Sequence, residues 1–276
     1  MKTLAMSVNN ADQIRCAINA TGVDMKTDRN TLRGVTGVAY YANGDVMITK
    51  RPLMVGVDSP ILPTKATTNT LIVAIEDATL GKFKVEDVQP YRFRNYVGVV
   101  GGFLEGTRGL RDNIMDNLPR YIAKNIQGES WKELIFHLYL SYLHDINRID
   151  STHLPVNVLL ECTGSMLKIL PKFLNKREFG SNEHLHMVFT NGRVIMGFST
   201  VDNTILLRRI KGVKQCPLCS TMGQGAVDHP DLMTSAMLIA SGQGRIPGFS
   251  PLKSYEVAII RQDGTAIVKD ILRSVR

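Results

Sequence analysis

The 276-residue chain is poor in cysteine, with four, and has a single tryptophan. No stretch approaches the run of about 20 apolar residues that a membrane-spanning helix requires. Met1 is followed by a turn-rich, moderately polar stretch rather than the apolar core of a secretory signal. These absences argue against a helical membrane span and for a cytoplasmic protein with reduced thiols. Internal repeats and low-complexity segments are missing, which removes solenoid and array architectures. Gly223-x-Gly225 and Gly242-x-Gly244 lack the following Lys-Ser/Thr of a P-loop and the strand-glycine-helix setting of a dinucleotide site. Both read as turns, and no cofactor is expected.

What is present is a basic, moderately apolar chain. Its hydrophobic fraction is 44% and its formal net charge +8, so it can bury a sizeable core. Such charge keeps a protein dispersed, and it also suits phosphate contacts. Two stretches match the basic pattern of a nucleic-acid surface: Tyr91-Arg92-Phe93-Arg94-Asn95-Tyr96, with interleaved aromatics, and Arg208-Arg209 with Lys211 and Lys214. The first reads more simply as a strand or its flanking turn. A protein partner or a second copy of the chain fits the charge at least as well as nucleic acid.

Hydrophobic periodicity predicts mixed α and β structure. Strands are expected at 3–7, 71–75, 96–100 and 204–209, the last continuing the sheet of the strand before it. Hairpins are expected about Asn43-Gly44, Asn191-Gly192 and Asp263-Gly264, where Asn-Gly and Asp-Gly favour tight turns. Helices are expected over 10–20, 110–125, 130–145 and 165–173, and 156–162 reads as either a strand or a helix start. Hairpins at both ends with helices between suit two antiparallel sheets enclosed by helix layers, an α+β sandwich in one domain. Residues 214–251 are rich in Gly, Ser, Met and Pro and read as a poorly ordered or ligand-binding segment.

One stretch carries more. From Thr70 to Glu133 the chain writes TLIVAIEDATLGKFKVEDVQPYRFRNYVGVVGGFLEG and later IQGESWKE. This resembles the class II glutamine amidotransferases, which are N-terminal-nucleophile hydrolases. That family writes a strand ending His-x-Arg-x-Ala-Thr, then Asn-x-His-Pro-Phe, a strand ending Ala-His-Asn-Gly, and Gly-x-Thr-Asp-Ser-Glu. Scaffold residues matching it are Ala78, Thr79, Gly81, Pro90, Tyr91, Gly102, Gly128 and Glu133. MKTLAMSVNNADQIRCAI resembles the family opening, and the resemblance covers roughly residues 1–145. It implies a four-layer αββα sandwich.

The residues that would perform the reaction differ. In the family, a Cys exposed by Met removal attacks the glutamine amide and its own amine is the base. Met1 or Lys2 stands there, depending on the pairing, and neither is a usable nucleophile. Met-Cys-Lys-Thr-Leu would match better than the order present. Met removal stops before a residue as large as Lys2, so Thr3 would serve only if a protease exposed it. The Arg that grips the substrate carboxylate falls on Glu76. At about 4 Å and an effective dielectric near 20, each sign is worth about 4 kcal/mol before screening, so attraction becomes repulsion. The oxyanion Asn falls on Gly101, the ammonium-binding Asp on Trp131, and two His positions on Ala74 and Gln89. Loss of one oxyanion donor typically costs about 100-fold in rate. The resemblance leaves a remnant pocket at Thr79, Gly101, Gly102 and Trp131, and implies a fold kept without its chemistry. A non-catalytic interaction, scaffold or regulatory protein is expected. The alternatives are an amidohydrolase of altered substrate and a nucleic-acid-binding protein.

Cys216-Pro-Leu-Cys219 has the spacing of a zinc knuckle and of a redox pair. A structural zinc needs four ligands. His229 is in reach along the chain, and Asp228 or Asp231 would complete an unusual set. The simpler expectation is two ordinary thiols on a loop, with no metal.

Overall fold

The computed structural model describes residues 1–23, 25, 34–52, 66–77, 84–221, 223, 225, 227–240 and 246–271. Among these, the strands form two antiparallel sheets. The first contains β1 (Lys2–Val8), β2 (Gly34–Ala42), β3 (Asp45–Pro52), β4 (Thr70–Asp77), β9 (Ile205–Val213), β10 (His229–Ala240) and β11 (Ser250–Pro251), in the order β11-β9-β10-β1-β4-β2-β3. The second contains β5 (Tyr91–Phe93), β6 (Tyr96–Phe103), β7 (His184–Thr190), β8 (Val194–Ser199), β12 (Glu256–Arg261) and β13 (Ala266–Asp270), in the order β13-β12-β8-β7-β6-β5.

Strand alternation assigns three cores. Leu4, Met6 and Val8 of β1 point outward from the first sheet and pack with Val73 and Leu238 beneath α1 (Ile14–Thr21) and α6 (Pro217–Thr221). Ala5 points inward and meets Val97, Val99, Val188 and Ile195 of the second sheet. The outer face of the second sheet is covered by α2 (Leu110–Met115), α3 (Arg120–Ala123), α4 (Trp131–Asp145) and α5 (Val156–Phe173), around Phe136, Tyr139 and Phe189. The expected αββα sandwich is therefore present.

All three hairpins form where expected. Asn43 and Gly44 take φ of 53° and 89°, the backbone of a two-residue turn matched to strand twist. Four expectations are corrected. The helix over 110–125 is two helices, because Pro119 lacks the N–H to continue the first and instead opens the second. Residues 156–173 form one helix. β9 does not continue the sheet of its sequence neighbour β8; it crosses to the first sheet beside β10. The described residues of 214–251 are not irregular throughout: they contain α6 and the 12-residue β10, which lies between β1 and β9.

The scaffold residues Gly128 and Glu133 have a visible role. Glu133 is buried, and its carboxylate accepts from Gly128 N at 2.7 Å and Gln127 N at 3.1 Å. It closes the turn that leads into α4, where Ser130 Oγ accepts from Lys132 N at 3.3 Å as the helix cap. Asp87 Oδ1 ties the same turn down through Glu129 N and Ser130 N. Glu133→Ala is expected to strand two backbone donors and lower stability by about 1–3 kcal/mol in urea denaturation; Glu133→Gln, which keeps one acceptor, should cost less.

Candidate functional site

The start of β1 and the end of β4 are neighbours, since Lys2 pairs with Ile75. This sets Met1 beside Glu76 at one end of the gap between the sheets. The end of β6 and the start of β7 face them, with Gly101 paired to His186. The first turn of α4 approaches from the helix layer.

Glu76 is the electrostatic centre. Lys132 Nζ lies 2.7 Å from Glu76 Oε1, and the two side chains are 27% and 13% exposed. Gln89 Nε2 donates to the same oxygen at 2.8 Å, and Gln89 N donates to Oε2 at 3.3 Å. Gln89 is fully buried. Its Oε1 accepts from Val100 N at 2.6 Å, and its Nε2 lies 3.5 Å from the Met1 sulfur. One amide side chain therefore links both sheets, the carboxylate and Met1. Both carboxylate oxygens already have protein donors.

Gly101 explains how the centre is filled. A β-carbon built there would collide with the His186 Nε2 edge and with the Met1 methyl group. The space of a side chain at 101 is thus occupied by His186 and Met1. Gly102 has φ of 129° and lies against the His184 carbonyl, a position that only glycine takes without strain. His186 is buried, and neither ring nitrogen has a hydrogen-bond partner among the described residues. Burial, followed by the charges of His184 and Lys132, pushes its pKa down to about 3, so the ring is neutral. Thr3 Oγ1, one alternation from Met1, is also buried and unpartnered among the described residues.

The other expected positions fall as follows. Lys2 opens β1 on the strand face opposite Met1. Ala74 is a core residue opposite Thr3 and Gly37. Trp131, partly buried, packs on the helix-layer core, and its neighbour Lys132 reaches Glu76. Thr79, Ala78 and Gly81 lie outside the described residues, as do the two glycines of Gly242-x-Gly244. No cysteine is at this centre: Cys162 is in the helix-layer core and the other three lie on the outer face of the first sheet. Sequence reasoning missed His186 and Lys132. A histidine among apolar residues on an inward strand face was the available signal for the first. The second is a lysine in the first turn of α4 whose partner Glu76 lies on another element, so local spacing carries no signal for it.

Cys216 and Cys219 are not loop thiols. Both are buried, Cys219 within α6 and Cys216 immediately before it. Their partners are Cys16 of α1 and His229 of β10; these four ligand atoms all lie within 4.8 Å of one another. Burial first, then the two neighbouring thiols, raises the Cys16 pKa to about 12. Asp228 is engaged elsewhere, accepting from Gln215 N at 2.7 Å, and Asp231 is outside the cluster.

In the basic run at 91–96, the rings of Tyr91, Phe93 and Tyr96 are each at most 3% exposed. They are core residues rather than a platform for bases. Arg94 pairs with Asp150 and lies over the Phe93 and Tyr121 rings. Arg208 donates to Thr21 O and packs on Phe249. A cleft of about 640 Å³ lies at the opposite end of the strands from Met1, lined in part by Asn43, Asn69, Tyr96, Asn191 and Arg193.

No protein-family model matches the chain, and no curated protein matches its sequence. Solved structures share its fold. A predicted glutamine amidotransferase from Pseudomonas aeruginosa is 15% identical with a TM-score of 0.59, over 98% of this chain and 100% of that one. A glutamine aminotransferase class-II domain protein from Silicibacter pomeroyi is 12% identical with a TM-score of 0.56, over 98% and 99% of the two chains. The glutamine phosphoribosylpyrophosphate amidotransferase of B. subtilis, complexed with ADP and GMP, is 13% identical with a TM-score of 0.55; this chain spans 49% of its length. At such identities the likeness is one of fold.

Two outcomes are expected. Lys132→Met leaves the half-buried Glu76 carboxylate with one donor fewer and should cost about 1–3 kcal/mol in urea denaturation. Adding Glu76→Gln should recover part of that loss, which a double-mutant cycle reads as coupling. The second concerns pH. His186 and His137 are held neutral by burial, with pKa values lowered to about 3 and about 4. An unfolded histidine titrates near 6.5. Above that value neither state binds the proton and stability is full; below it only the unfolded chain does, so stability falls until the folded values are reached. Between pH 7 and pH 5 each ring should cost about 2 kcal/mol, and His186→Gln should flatten the urea-midpoint profile by one ring's share.

Proposed function

We propose that this chain is a glutamine amidotransferase-like protein without glutamine hydrolysis, acting as an interaction, scaffold or regulatory subunit. The observation that carries this reading is the occupied carboxylate of Glu76. At the position where the resemblance assigns a substrate-gripping Arg, the chain holds a negative charge already bonded to Lys132 and Gln89. A glutamine carboxylate brought there would meet like charge, and Lys132 would have to leave an existing pair to bind it. The Met1 thioether beside it has no proton to lose and gives no acyl-enzyme. His186 takes up the space over Gly101, where an oxyanion donor would stand. A domain with this interior acts through its surface, toward another chain or a second copy of itself.

A second reading rests on His186. A buried neutral imidazole whose two nitrogens have no partner among the described residues can move a proton. An amidohydrolase with another substrate and another nucleophile, such as water, would use such a ring.

The test is ammonia release. The purified chain should release none from glutamine above the buffer rate, and a Met1→Cys form with a free terminal thiol should stay inactive, because Glu76 and Gly101 remain. Saturable glutaminase activity in the unaltered chain overturns the proposal. Turnover of another amide, abolished by His186→Gln, would replace it with the second reading. Light scattering across a concentration series then reads self-association directly.

A further inference from the structure

We infer that Cys16, Cys216, Cys219 and His229 form a structural zinc site that fastens the outer helix layer to the first sheet. The four ligand atoms lie within 4.8 Å of one another. Cys16 Sγ is 3.7 Å from Cys219 Sγ, and Cys219 Sγ is 3.3 Å from His229 Nε2. With Zn–S near 2.3 Å and Zn–N near 2.0 Å, tetrahedral geometry places ligands about 3.8 Å apart for S···S and about 3.5 Å for S···N. Two of the six edges therefore already match a zinc tetrahedron, and the other four are no longer than 4.8 Å. A disulfide needs sulfurs about 2.05 Å apart, so the cluster is not an oxidised pair.

The local chain supports the same ligand set. Cys216-Pro-Leu-Cys219 is a knuckle, with Cys216 immediately before α6 and Cys219 within it, both buried. Cys216 N is itself fixed by a hydrogen bond to Val227 O at 2.8 Å. The outward ring nitrogen of His229, Nδ1, lies 3.4 Å from the Gln13 side-chain amide. Turned by 180°, that amide offers its oxygen to an Nδ1–H. This fixes the tautomer that leaves Nε2 free for a metal. Gln13 and Cys16 come from the same turn of chain, so one segment supplies a ligand and the orienting partner of another.

Chemistry selects the ion. Three thiolates and one imidazole form a soft, tetrahedral set, which suits zinc. All four positions are protein ligands, and the three cysteines are at most 8% exposed. No position is left for water or substrate, so the site is structural rather than catalytic. An iron–sulfur cluster would need its ligands spread around a cage of several irons, wider than this group.

The placement gives the metal a purpose. Among the described residues, the outer face of the first sheet is covered by α1, of eight residues, and α6, of five. Neither is long enough to hold helical structure alone. Metal bonds from α1, the α6 knuckle and β10 join segments about 200 residues apart and close this thin layer.

The experiment is metal analysis of the full-length chain, purified without chelator and after growth with added zinc. One zinc per chain is expected. Cys16→Ser and Cys216→Ser should each lower zinc content at least tenfold. Cobalt exchanged into the unaltered protein should give the intense visible bands and thiolate charge transfer of a tetrahedral site with three sulfur ligands and one nitrogen, a readout that does not depend on variants folding. Zinc far below one equivalent together with no tetrahedral cobalt spectrum would overturn the proposal. So would full zinc content in both variants.

Discussion

The molecule depends on β1 being held between β4 and β10. Lys2–Ser7 pair with Thr70–Ile75 on one side, and all seven residues pair with Thr234–Ala240 on the other. The second pairing joins positions more than 200 residues apart, so the first sheet cannot close until most of the chain is in place. That ladder also sorts side chains. Leu4, Met6 and Val8 go to the outer layer, while Met1, Thr3 and Ala5 face the gap between the sheets. A slip of one residue would exchange the two sets, putting large side chains into the inter-sheet core and small ones beneath α1. Register at β1 thereby fixes both the Met1 centre and the wall on which Cys16 packs.

At the Met1 centre, charges balance internally. A carboxylate at 76 is costly to bury alone. Lys132 supplies the opposite sign from the first turn of α4, and Gln89 supplies two donors from the loop before β5. The three residues make a polar network that crosses both sheets and one helix. Such networks hold structure when each member is satisfied, and they lose most when one member is removed. A ligand that displaced Lys132 would have to better a pair already formed in a partly desolvated site. The cleft lined by Asn43, Asn69 and Asn191 lies at the other end of the strands and presents amides and hydroxyls beside the charges of Arg94, Asp150 and Arg193, so the two ends of the sandwich have different chemistry.

Much of the fold was legible because turn residues and periodicity agreed. Asn43-Gly44, Asn191-Gly192 and Asp263-Gly264 marked three hairpins, and Ser130 marked the start of α4. β10 was not legible. It is buried on both faces, so it lacks alternation, and it carries Thr234 and Ser235 in mid-strand. Those hydroxyls read as loop, yet they donate to Ser7 O and Gly264 O at 2.7 Å each. The strand begins at His229-Pro230, and its register with β9 shifts between His229 and Met233, which hides its start. At the site, the motif comparison found Glu76 and Gly101 but not what answered them. Lys132 and His186 come from other elements, and compensation across space leaves no mark in local spacing.

The same limit applies to the cysteines, and it shows why spacing alone understated them. A Cys-x-x-Cys pair states half of a tetrahedron. The other half came from His229, ten residues on, and from Cys16 on a helix whose sequence is simply that of an amphipathic surface element. Nothing local distinguishes Cys16 from a small apolar residue facing a core, and it does occupy such a position. What distinguishes it is β1, which carries α1 across the sheet until it faces the knuckle. The long-range pairing that fills the Met1 centre on one face of the sheet therefore also completes the sulfur cluster on the other.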